Sequence, residues 1–173
     1  GPNAGNVNQS TNSVAIGNAA GFTGQQTSAV AIGNAAGGTS QGIAAIAIGS
    51  NAGSSVQGSN SVAIGTNTNT ASFGVAIGYE SKATQNSVSV GYAAGSNAQY
   101  SNSVALGYMA GTLNQGNGGT GGQAIAIGDS AGASNQKYQS IAIGTNAGQV
   151  GQSYWSVAIG INAGNGNQST NSV

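Results

Sequence analysis

A five-residue phrase, Ser13-Val14-Ala15-Ile16-Gly17, constrains the fold most, because versions of it return ten times along the chain. The cores begin at Val14, Val30, Ile46, Val62, Val75, Val88, Val104, Ile125, Ile141 and Val157, in steps of 16, 16, 16, 13, 13, 16, 21, 16 and 16 residues. Each reads large apolar, small, large apolar, glycine. A period of this length marks a repeat architecture in which each unit stacks on its neighbour. The alternating, β-branched core predicts a strand. Frequent glycine and the lack of an i, i+3, i+4 apolar pattern argue against helix. Sixteen residues hold two short strands and two turns, so the period predicts a parallel β-solenoid. About ten coils at about 4.8 Å each would make a rod roughly 48 Å long.

Thirty-two glycines and one proline would suit a flexible linker, but a linker has no reason to space Val and Ile at one period. Charged residues are 2% of the chain and comprise Glu80, Lys82, Asp129 and Lys137, with zero net charge. Nothing here attracts nucleic acid or an anionic membrane. No apolar run approaches the roughly 18 residues of a spanning helix. Residues 1–2, Gly1-Pro2, read as the scar of a cleaved fusion. Residues 3–173 read as one repeat domain, a fragment of a longer fibre, since Asn3-Ala4-Gly5 matches Asn162-Ala163-Gly164.

Other positions keep the same phase. An Ala-Gly pair follows most strands, with glycine at 21, 37, 53, 95, 111, 132, 148 and 164. A glycine held at one phase implies φ > 0 or a place too crowded for Cβ. A glutamine stands five residues before the next core at Gln9, Gln25, Gln41, Gln57, Gln99, Gln136, Gln152 and Gln168, and is expected to bond from coil to coil as a ladder. Two units shorten to 13 residues between Gly65 and Gly91. Five residues are added between Gly107 and Gln123, which predicts a glycine-rich loop within 112–123 standing off the coils.

With the units aligned, Asn12-Ser13-Val14-Ala15-Ile16-Gly17 and Asn60-Ser61-Val62-Ala63-Ile64-Gly65 resemble the head repeat of YadA-like trimeric autotransporter adhesins and related bacterial or viral trimeric fibre proteins. Asn86-Ser87-Val88-Ser89-Val90-Gly91 and Asn102-Ser103-Val104-Ala105-Leu106-Gly107 come close, and Gly78-Tyr79-Glu80-Ser81-Lys82-Ala83 is nearest to the family's continuation. The 16-residue Ala-Gly unit is where the chain departs from that pattern. The resemblance implies an all-β, left-handed parallel β-roll, three chains packed side by side as a homotrimer, and an extracellular place on a surface fibre or virion. Any membrane attachment would come from other parts of a parent chain.

The chain has no histidine and no cysteine, and both basic residues are lysines, so Ser-His-Asp, Cys-His and the usual zinc sites cannot be assembled. Glu80 and Asp129 fall about three coils apart, roughly 14 Å, too far for a glycosidase pair. No catalytic residue, metal ligand or cofactor is implied. Gly116-Asn117-Gly118-Gly119-Thr120-Gly121 fits G-x-G-x-x-G, but a strand follows where a dinucleotide site needs a helix. An ice-binding face would want a regular threonine ladder. Thr23 and Thr39 share a phase that other coils give to Ser55, Asn97, Leu113, Ser134 and Val150.

What remains is a structural and adhesive module binding an unidentified protein or glycan receptor, bacterial or viral. Tyr79, Tyr92 and Tyr108 follow strand glycines, and Tyr100, Tyr138, Tyr154 and Trp155 precede strands. These seven form the candidate ligand-contact surface. Neighbours on a strand point to opposite sides. If the alanines face a narrow interior, the large residues face outward. The expected trimer interface is therefore Val14, Ile16, Val30, Ile32, Ile46, Ile48, Val62, Ile64, Val75, Ile77, Val88, Val90, Val104, Leu106, Ile125, Ile127, Ile141, Ile143, Val157 and Ile159. The converse packing, Val and Ile inside, would give a monomer.

Overall fold

The computed structural model describes residues 1–118 and 121–173. The chain divides into two compact units, Gly1–Ser81 and Lys82–Val173. Each is an all-β parallel solenoid, with no helix among the described residues. In the first unit the strands are β1 (Val14–Ile16), β2 (Val30–Ile32), β3 (Ile46–Ile48), β4 (Val62–Ile64), β5 (Asn69–Thr70) and β6 (Val75–Ile77). β1, β2, β3, β4 and β6 pair in that order, always parallel and core on core, as in Val14↔Val30 and Val62↔Val75. The second unit holds β7 (Lys82–Ala83), β8 (Val88–Val90), β9 (Val104–Leu106), β10 (Ile125–Ile127), β11 (Ile141–Ile143) and β12 (Val157–Ile159). β8 to β12 pair consecutively in the same register. A second wall is made of single parallel bridges: Val7, Thr23 and Thr39 in the first unit, and Asn97, Leu113, Ser134 and Val150 in the second.

Each three-residue strand buries its middle residue and half-buries its outer two, except at the ends, where β1 lies more open and Ile159 of β12 is exposed. The core is therefore alanine. Ala20, Ala31, Ala36, Ala47, Ala52 and Ala63 pack together in the first unit. Ala94, Ala105, Ala110, Ala126, Ala131, Ala142, Ala147 and Ala158 do so in the second. The middle position of each strand, stacked on its equivalents in the neighbouring coils, holds alanine, or serine at Ser89. Val and Ile point outward, as the narrow-interior reading expects.

Two glycine phases make the coil possible. The strand glycine, as at Gly17, has φ +127°, and a Cβ there would run into the carbonyl of Gly33 in the next coil. The Ala-Gly glycine is left-handed, φ +53° at Gly21, and a Cβ there would lie 2.5 Å from Gln25 Oε1. Both reasons anticipated for a fixed glycine hold at this one position. The strand is entered through a residue in the left-handed region, Asn in Asn12, Asn60, Asn86, Asn102 and Asn171. The serine of the phrase then caps the turn: Ser61 Oγ donates to Gly58 O at 2.6 Å, and Ser156 Oγ to Ser153 O at 2.7 Å.

The glutamines correct the ladder expectation. Most of their amide bonds stay within a coil. Gln25 Nε2 donates to Val14 O at 2.7 Å and to Ala29 O at 3.1 Å, closing the corner from inside. Gln41, Gln57, Gln136 and Gln152 repeat the bond to the strand carbonyl. Bonds between coils occur at Gln41–Gln57 and Gln99–Gln115. The physical reason is that the amide is buried where no water competes, and backbone carbonyls of its own coil lie within its reach. A buried donor needs an acceptor, and these carbonyls supply it.

The 21-residue unit keeps coil geometry further than its composition suggests. Leu113 bridges Asn97 and Ser134, Gln115 is buried, and Asn117 bridges Lys137. Gln115 Nε2 donates to Val104 O at 2.6 Å, so it fills the glutamine position. Gly122 O accepts from Gln139 N–H, and Gln123 N–H donates to Ser101 O. Residues 119–120 of the expected loop, and of the G-x-G-x-x-G stretch, lie outside the described residues.

Candidate functional site

Two kinds of outward surface are left once the coil is closed. The first is the strand face. In each unit the large residues of successive strands stand in line, one pair per coil, in the register already given. They are half-buried within one chain and more open at β1 and β12, with Ile16 56% and Ile159 64% exposed. The lining is apolar, and no polar side chain interrupts it from β1 to β4 or from β8 to β12.

The second is the turns. The aromatic residues do not gather into one site. Tyr92 and Tyr108, each just after a strand glycine, stack at 5.1 Å between centroids and 16° between planes. Tyr79 holds the same position in the first unit and is exposed. Tyr154 and Trp155 meet at 5.8 Å with their planes tilted 44°. Tyr100 is exposed and Tyr138 half-buried in the same series of turns. Reading the sequence missed Phe73, 57% exposed, which sits two residues before Val75 as Trp155 sits before Val157. It also missed Ile43 and Val56, both exposed on turns of the first unit. Their places relative to the strand were the available signal.

Polar ladders do run along the surface, and asparagine forms them: Asn18–Asn34 at 3.2 Å, Asn51–Asn67 at 3.3 Å, Asn86–Asn102 at 3.3 Å, Asn114–Asn135 at 3.0 Å and Asn146–Asn162 at 3.2 Å. Asn and Gln amides both donate and accept, so each coil can satisfy the next. Of the four charged residues, Asp129 accepts from Ser130 Oγ at 2.8 Å. Among the described residues no three His, Cys, Asp or Glu side chains come together as a metal site would need.

Fold and faces define a parallel β-roll repeat protein with a small-residue core, an apolar strand face and polar, aromatic-bearing turns. A family model, the YadA head domain repeat, matches the chain twice, over residues 40–68 and 120–147. Both stretches contain a 16-residue Ala-Gly unit, and residues 78–83 lie outside them. Neither a search of curated proteins nor one of solved structures returns a match.

Proposed function

We propose that the chain is a non-catalytic structural and adhesive module of a trimeric fibre on the outside of a cell or virion. In this reading three left-handed rolls meet along their Val/Ile faces. The turns, with Tyr79, Tyr92, Tyr100, Tyr108, Tyr138, Tyr154 and Trp155, are left to touch protein or glycan on a host or prey surface. The observation that carries it is the outward row of Val and Ile over an alanine core in each unit. Such a row leaves on the order of several hundred Å² of contiguous apolar surface, more than soluble monomers usually show. Covering about 400 Å² would stabilise the assembly by roughly 10 kcal/mol per chain before association costs. Threefold closure covers the row and stops further growth. The YadA head repeat match supports the same assembly and setting. Repetition then supplies avidity without any strong single contact.

The adhesive half is tested on an array of glycans and extracellular-matrix proteins. The native protein should be retained by at least one class of spot. The Ile64→Asp/Ile77→Asp variant, which puts charge on the shared face, should be retained at least ten-fold less. Retention by no spot, or equal retention of both proteins, would contradict the reading.

A further inference from the structure

Trp155 occupies a place that neighbouring coils give to amides. It lies two residues before Val157, where Gln123, Gln139 and Asn171 stand before Ile125, Ile141 and Val173. Its φ is +52°, a region that bulky side chains avoid, and its indole is 52% exposed. Every coil uses this backbone state before its strand, as at Asn102 and Gln139, so the coil sets it; what is particular to this position is a tryptophan left half in water. The surrounding groups orient it. Trp155 Nε1 donates to Gln139 Oε1 at 2.8 Å, and Gln139 Nε2 donates to Gln123 Oε1 at 2.7 Å. This relay crosses three turns and fixes the edge of an indole that is half exposed. It ends at Gln123, which is exposed. The Tyr154 ring, 5.8 Å away and tilted 44°, makes a second wall, so the two rings form an open corner.

The chemistry of that corner selects its ligand. An aromatic face accepts the C–H side of a pyranose ring. Amides and a phenol both donate and accept, as sugar hydroxyls do. Full charge is nearly absent: Lys137 is the one charged residue in these turns, and the chain has no arginine to grip a sulfate, phosphate or carboxylate. We propose that Trp155, Tyr154, Gln139 and Gln123 form a binding corner for a neutral pyranose of a glycan, the ring stacking on the indole and its hydroxyls meeting the amides and the Tyr154 hydroxyl. The proposal rests on the adhesive reading above and gives its ligand class.

Trp155 is the single tryptophan of the chain, so indole emission reports this corner alone. The native protein is titrated with maltohexaose, cellohexaose and chitohexaose. At least one should give a saturable blue shift and protect the indole from acrylamide quenching. Gln139→Ala, an exposed change checked for folding by circular dichroism, should weaken that response about five- to ten-fold. Thr145→Ala, an exposed change in another row of turns, should leave it unchanged. The proposal is overturned by any of three results: no saturable change with any of the sugars, a Gln139→Ala protein that titrates like the native one, or emission already that of a buried indole before sugar is added, which would place Trp155 in a subunit seam. Array retention that persists without a fluorescence response rejects this corner alone, whereas loss of both rejects the adhesive reading with it.

Discussion

At the scale of single residues the fold depends on pairs that the period keeps together. The glutamine four residues after the Ala-Gly glycine reaches across the coil to the strand carbonyl, and the missing Cβ of that glycine leaves space for its Oε1. Gln152→Glu tests the first half. A protonated acid can donate to Ile141 O as the amide does, now at 2.6 Å, whereas a carboxylate would face a carbonyl oxygen in a dry interior. Burial raises the acid's folded pKa above its unfolded value of about 4.3. The variant should therefore be near native in stability below that unfolded value and lose stability as pH rises through the folded one. Chemical denaturation across pH checks this, and a pH-independent deficit would contradict it. The second half is tested at the two ends of one turn. Ala35 has φ +52°, so Ala35→Gly should be neutral or stabilising by up to about 1 kcal/mol. Gly37, φ +54°, would place a Cβ 2.6 Å from Gln41 Oε1, so Gly37→Ala should destabilise by about 2 kcal/mol or more. Equal effects in urea titrations would refute the assignment. The glycine's role was legible because phase alone implies φ > 0. The glutamine's was misread as a ladder, because equal spacing fixes where a side chain starts but not which acceptor it reaches. Gln115 escaped notice because counting back from the next strand crosses the added residues.

At the scale of the element, the strand is three residues long and its middle residue decides the coil's diameter. Alternation told that Ala15 and its equivalents lie opposite Val and Ile. It left open which side is inside, and only the small cross-section of a 16-residue turn favours alanine there. Ala126 stacks between Ala105 and Ala142 with no exposed surface. Ala126→Val should overpack the coil and destabilise it by about 1–3 kcal/mol. Ile127→Val, on the outward side of the same strand, should cost about 1 kcal/mol or less. The reverse order in thermal melts would mean that the large side chains face the interior. The added stretch was legible as an excess of five residues but not in its position, since glycines run on either side of the excess. Coil bonds reach Asn117, and removing residues 118–122 restores the 16-residue step from Val104 to Ile125 at the loss of the bond from Gln139 N–H to Gly122 O. The shortened protein should melt within about 3 °C of the native one. A collapse comparable to that of Ala126→Val would contradict this placement.

At the scale of the whole molecule, repetition made the β-roll readable from sequence, while the binding surface stayed obscure. Ten registered cores define a fold by mutual agreement. A turn residue such as Trp155 or Phe73 occurs once, and no period announces it. The central claim is that the outward Val/Ile face is an interface between three copies. The most direct test is the native mass in dilute solution, by light scattering coupled to size exclusion at micromolar concentration. The account predicts three chains of 16.4 kDa, about 49 kDa in all, reduced or unfolded by Ile64→Asp/Ile77→Asp. A folded native species with the mass of one chain, 16.4 kDa, would contradict it.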